Sequence, residues 1–218
     1  MRASQLQSPD KESARDWLRR SAPQNRLEER LAGNATGGQR LRQLVSQAES
    51  EYLNAEYSNW RARQSPNHLE YSGNPKVDLE KGAAAFERSK TFAQQALDLA
   101  PSLAGTPDYP TAVFRAHMAA GLNALREGRR GEAVDHLLEA SRLPAPKEPA
   151  TEPRSLLEYR LVNYLLKDGE RATIIEYLER NAPTRAPASR DNMLKAARAI
   201  RGGRMPEHYQ RLLASGDL

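Results

Sequence analysis

The chain has 218 residues and no cysteine, with 33 Lys and Arg against 28 Asp and Glu, a formal net charge of +5. The absence of cysteine excludes disulfides and thiolate metal sites. A hydrophobic share of 39% and a charged share of 28% are too apolar for wholesale disorder and too polar for one thick core. The opening residues, MRASQLQSPDKESARD, contain no apolar stretch, so an intact secretory signal is not expected and cytoplasmic residence is the default. A chain trimmed of its signal would read the same. No apolar run reaches the roughly 18 residues of a membrane-spanning helix.

Residues 9–20 predict a short helix, with Ser8 as a hydroxyl cap and Pro9 presetting φ. A second fits residues 23–31, closed by Gly33. Residues 1–34 form an N-terminal extension, a cap or a degenerate repeat, with Trp17 and Leu18 covering one end or Trp17 docking in a second chain. That leaves oligomeric state open. Residues 39–64 predict a long helix with Leu41, Val45, Ala48, Tyr52, Ala55 and Trp60 near one stripe. The stretch QSPNHLEYSGNP is a connector, and Asn74 and Pro75 start another long helix that runs to Ala100 and ends before Pro101. Its small residues, Ala83, Ala84, Ala85, Ala93 and Ala96, predict close packing on a neighbour.

Thr106 or Asp108 caps the next helix, which ends at Gly128, and residues 131–143 form its return partner. The proline-rich PAPKEPATEP stops helix continuation. A second pair follows, residues 153–167 and 170–181 about Gly169. After APTRAPA comes a third, residues 189–200 and 206–214 about Gly202 and Gly203. No segment alternates apolar and polar residues as a half-buried strand does, so the expected class is all-α.

Within residues 114–146, FRAHMAAGLNALREGRRGEAVDHLLEASRLPAP, small residues fall at Gly121, Gly128, Ala133 and Ala140, with prolines at 144 and 146. Two antiparallel helices that approach closely across a short turn need such spacing. The pattern resembles the tetratricopeptide repeat. Phe92, Ala96 and Pro101 match its second helix, and Leu161, Gly169 and Leu178 match a further unit in which Ile174 replaces a small residue. The segment MLKAARAIRGGRMPEHYQRLL fits loosely. The chain also looks like tetratricopeptide-like segments of uncharacterised bacterial proteins. The resemblance implies antiparallel helix-turn-helix units across residues 39–218, stacked as a short right-handed solenoid. It further implies that first helices line a concave groove, with Arg115, Met118, Leu122, Leu125 and Arg126 facing a partner protein or peptide. The basic and amide residues that clamp a C-terminal carboxylate are absent, so an apolar peptide or helix is the expected guest. Packing of Met118, Leu122 and Leu125 against an adjacent repeat is the competing outcome, and the commoner one for such stripes.

Chemistry has few footholds. Glu132, His136 and Glu139 share one helical face, the spacing of a metal triplet, but no fourth ligand is designated. His117 falls near Asp108 and Tyr109, which would make a small polar site; His68 and His208 receive no role. No G-x-S-x-G turn, Walker loop or G-x-G-x-x-G loop is present. Catalytic residues, metal and cofactor are therefore not expected, and the leading function is a non-enzymatic scaffold for another protein. The second reading uses the basic C-terminal region, where Lys195, Arg198, Arg201 and Arg204 step by three residues and would contact nucleic-acid phosphates or another anionic surface. The helix break expected at Gly202 and Gly203 and the lack of aromatic platforms weigh against it. Arg180 and Arg185 bracket a break and fit helix-dipole compensation.

Overall fold

A computed structural model describes residues 37–64, 74–106, 109–144 and 156–206. Among them lie seven α-helices and no β-strand: α1 (Gly37–Gln64), α2 (Pro75–Leu99), α3 (Tyr109–Arg126), α4 (Arg130–Arg142), α5 (Leu156–Lys167), α6 (Arg171–Asn181) and α7 (Pro187–Arg201). Short 3₁₀ turns cover Ala100–Leu103 and Ala182–Thr184. The expected helices at residues 9–20 and 23–31, and residues 207–214 of the last one, lie outside the described residues.

α1 and α2 form the longest hairpin. Leu41, Leu44, Val45, Ala48, Tyr52 and Ala55 recur every three or four residues on α1 and are all buried, as an amphipathic helix requires. α2 begins where expected: the Asn74 side chain accepts from the Lys76 amide (3.0 Å) and Pro75 opens the first turn. The helices approach closely at Gly82, where a Cβ would meet Asn59 Oδ1 at 2.5 Å and the Ala55 carbonyl at 3.2 Å. Two expectations need correction here. Ala83 and Ala84 point to solvent, because Gly82, Ala85 and Phe86 take the inward positions. Trp60 is 49% exposed, because Ala55 and Ala62 hold the buried stripe and turn it outward.

α3 sits between this hairpin and the later helices. The Ser89 hydroxyl of α2 donates to the Ala48 carbonyl of α1 (2.8 Å) and accepts from Asn123 of α3 (3.0 Å). One buried hydroxyl thereby fixes three helices in register. α3 packs beside α1 and beside α5; α2 and α4 also pack on α3, and α6 lies against α4. Gly121 brings α3 and α5 together, since a Cβ there would meet Leu161 Cδ2 at 2.7 Å.

The same chain reversal closes α3, α5 and α7. Gly128, Gly169 and Gly203 have φ of 75°, 89° and 76°. In each case the glycine amide bonds three residues back, to Leu125, Leu166 or Ile200, and the next amide bonds five back, to Ala124, Leu165 or Ala199. This is the Schellman pattern, which needs a residue free to adopt positive φ. Successive turns are also linked: Arg130 donates to the Asp168 carbonyl and pairs with Glu170, both at 2.6 Å. The final pair starts two residues earlier than expected, because Pro187 rather than Ser189 supplies the first-turn φ.

A Cβ at Gly128 or Gly169 would meet nothing within 4 Å, so substitution tests backbone strain alone. Gly128→Ala and Gly169→Ala should each cost about 1 kcal/mol and lower Tm by about 2–4 °C, measured by thermal circular dichroism with the helix content unchanged.

Candidate functional site

The layer formed by α1, α3 and α5 carries a band of charge across one face. Glu49 and Glu56 stand two turns apart on α1, hence on one side. Arg115 of α3 donates from Nε to Glu49 Oε1 at 3.0 Å, and its Nη2 also engages that carboxylate. Two turns on, Glu56 pairs with Arg160 of α5 and accepts from the Tyr164 hydroxyl at 3.3 Å. Because α3 packs between α1 and α5, this second contact reaches across α3.

The expected groove residues divide. Met118 and Leu122 are 0% and 1% exposed, so the structure places their side chains in the core, where a partner cannot reach them. The cause is α3's position, flanked by α1 and α5 and backed by α2 and α4. Leu125 is half-buried against the same core. Arg115 is held by Glu49. Arg126 is exposed, with its guanidinium 3.3 Å from the centroid of the Phe86 ring, a cation–π contact.

Residues that the sequence did not assign to the groove complete this face. Tyr57 and Trp60 stack at 5.8 Å with planes 20° apart, both largely exposed. Lys167 lies 5.8 Å from the Tyr164 ring centroid. Beneath them, burial pushes the Tyr52 phenol well above its ordinary pKa, a shift that Tyr164 reinforces and Arg160 and Arg126 oppose. Tyr52 also meets Phe86 edge-on at 5.3 Å. Arrival of these residues from three helices is a product of packing, and no local motif announces it.

A buried polar cluster lies in the second half. Glu158 Oε1 accepts from the Tyr177 hydroxyl and from Arg185 Nη2, each at 2.6 Å. The guanidinium sits 5.8 Å from the Phe114 ring centroid. Arg185 is therefore not a solvent-facing compensator of a helix end: its side chain is 3% exposed. Burial works against its charge, yet Glu158 and Tyr177 outweigh this and raise its pKa. The available signal was Glu158 itself, a carboxylate on the apolar stripe of LLEYRLVNYLLK.

The histidines pair with each other. His117 Nδ1 of α3 and His136 Nδ1 of α4 are 3.1 Å apart, so one donates and one accepts. The expected neighbour Asp108 lies outside the described residues, as do His68 and His208. Glu132 pairs with Arg129 and also lies 3.8 Å from His136 Nε2, whereas Glu139 pairs with Arg142. Among the described residues no three ligating side chains converge. On α7, Lys195, Arg198 and Arg201 are exposed, but Arg201 pairs with Glu179 at 2.7 Å. α7 ends at Arg201, so Arg204 sits in the turn rather than on the stripe.

Two predictions follow from the buried groups. Arg185→Met strands the Glu158 carboxylate and should cost about 3 kcal/mol in denaturant unfolding. Adding Glu158→Leu should restore much of that loss, because the pair is then replaced rather than broken. Burial, aided by His136, holds the His117 pKa near 4, and burial also lowers His136. The unfolded chain binds these protons near pH 6.5, so stability should be complete above that pH and fall as pH drops towards 4. The loss is at most about 1.4 kcal/mol per pH unit for each proton. Replacing His117 with Gln should flatten the curve of unfolding midpoint against pH over that window.

Comparison of the chain with protein-family models, with curated proteins and with solved structures finds no match.

Proposed function

We propose that the chain is a non-enzymatic helical-repeat scaffold of the tetratricopeptide-like type, a short right-handed solenoid that holds another protein on its concave side. One observation carries this reading: the same Schellman reversal closes α3, α5 and α7. The same reversal after α3 and α5, with α3 packed beside α1 and α5, supports stacking of these helices with a common face. That face belongs to α1, α3 and α5.

The surface open to a partner is cationic and aromatic rather than aliphatic. From the expected set Arg126 stays exposed, while Arg115 is engaged by Glu49 and Leu125 is half-buried; Trp60 is exposed beside them, and Arg160 and Tyr164 are partly so. Such residues dominate binding energy at protein interfaces. Nucleic-acid binding through Lys195, Arg198, Arg201 and Arg204 is the weaker reading, because one of the four is paired and another has left the helix.

The test is affinity capture from a source lysate with the full chain as bait. Trp60→Ala combined with Arg126→Glu should lose the specific partner while the helical signal stays intact. Lys195→Glu with Arg198→Glu should retain it. The opposite pattern would overturn the assignment of the face.

A further inference from the structure

We propose that Glu56 is an internal stand-in for a carboxylate of an acidic partner segment. It occupies an anion subsite formed by Arg160 and Tyr164 and rimmed by Arg63, Arg126 and Lys167. This inference rests on the scaffold reading and names the chemistry of its guest.

α1, α3 and α5 share a direction in their layer, and each carries a cation in its last turn: Arg63, Arg126 and Lys167. Taken singly, each would be an ordinary response to a helix C-terminus. Together they form a group. Arg63 lies near enough to Arg126 and to Tyr164 to act on the titration of both, and Lys167 reaches over the Tyr164 ring. Arg126 lies against Phe86 of α2 rather than over its own helix end.

Carboxylates are too few for these cations. Among the described residues, Arg63, Arg126 and Lys167 form no ion pair, whereas neighbouring Arg61 and Arg88 have Asp78 and Glu51. Glu87 and Glu127 act on Arg126 from a distance, and Glu127 is already held by Lys90 and Arg129. The Glu56 carboxylate meets Arg160 and the hydroxyl of Tyr164, whose ring Lys167 approaches, and it does so from across α3.

The Glu56–Arg160 pair is about four-fifths buried, with side-chain exposures of 19% and 21%. An incoming carboxylate must therefore exchange with Glu56 instead of adding beside it. Exchange of one carboxylate for another leaves the pairing with Arg160 similar, so it does not by itself offset the cost of association. The gain comes from further carboxylates meeting Arg63, Arg126 and Lys167, and from stacking on Trp60 and Tyr57. A segment with several acidic side chains fits; a single terminal carboxylate does not.

The probe is a fluorescently labelled hexaglutamate peptide, blocked at both ends and titrated by anisotropy into the full chain at low salt. Glu56→Gln removes the internal negative charge while keeping the side chain's shape, and should tighten binding by about tenfold. Arg160→Gln in that background should abolish the gain, and so should Arg126→Gln with Lys167→Gln. Circular dichroism confirms folding of each variant, and Trp60 emission should change with occupancy. Unchanged or weaker binding by Glu56→Gln overturns the stand-in role. Absence of peptide binding by every variant, with lysate capture still dependent on Trp60 and Arg126, refutes the acidic subsite and leaves the scaffold standing. Tighter binding of a single-stranded oligonucleotide of equal charge would refute an acidic protein guest.

Discussion

The fold depends on α3 being packed on nearly every side. Ala112, Ala116, Ala119, Gly121 and Ala124 let neighbouring backbones approach, while Val113, Phe114, Met118 and Leu122 fill the remaining space. A central helix with large side chains at the small positions would push α1 or α5 away, and interiors at crystal-like density do not absorb such changes. The Ser89 and Asn123 contacts add direction to this packing, because a slipped register would leave buried donors unmade. Burial of α3 also decides what the molecule can present. With its apolar residues consumed, the face above it is furnished by long side chains reaching in from α1 and α5.

Much of this architecture was legible in local chemistry. The 3.6-residue period marked the helices, Asn74 and Pro75 marked a start, and Gly128, Gly169 and Gly203 marked the ends, because positive φ is a requirement that a single residue type meets well. What periodicity does not encode is rotation against a neighbour. Met118 and Leu122 belong to an apolar stripe whether a helix lies at the edge of an array or at its centre, and only the flanking of α3 on both sides put them in the core. Trp60 failed in the opposite sense: Ala62 took the inward position and left the larger ring outside. His117 with His136, and Glu158 with Arg185, are pairs between helices. Their sequence context offered at most an oddly placed polar residue.

The two kinds of ion pair in the molecule have different physical meanings. Glu158 and Arg185 are almost wholly removed from water, where desolvation cancels much of the attraction. Their value lies in the cost of misplacing either partner, which ties the 3₁₀ turn after α6 to α5. Arg142–Glu139 and Arg180–Glu176 are exposed pairs within single helices and contribute little. The Glu56–Arg160 contact is intermediate. It is shielded enough to hold one geometry and accessible enough to be exchanged, which are the conditions a displaceable internal ligand needs.

Charge was the feature that sequence order represented least faithfully. The C-terminal region is rich in basic residues, yet Arg185 is buried, Arg190 lies beside Asp191 and Arg201 meets Glu179. Arg63, Arg126, Arg160 and Lys167, by contrast, are scattered along the chain and look like isolated surface residues. Parallel first helices bring them to one end of one face. Coulomb interactions act over about 10 Å at ordinary salt, so their summed potential is set by separation in space. A run of like charges along one exposed helix spreads its field into water, whereas cations from three adjacent helices direct theirs at a shared point. The cation group proposed as an anion subsite is therefore assembled by the fold, and the length of a basic run is a poor guide to where such a group lies.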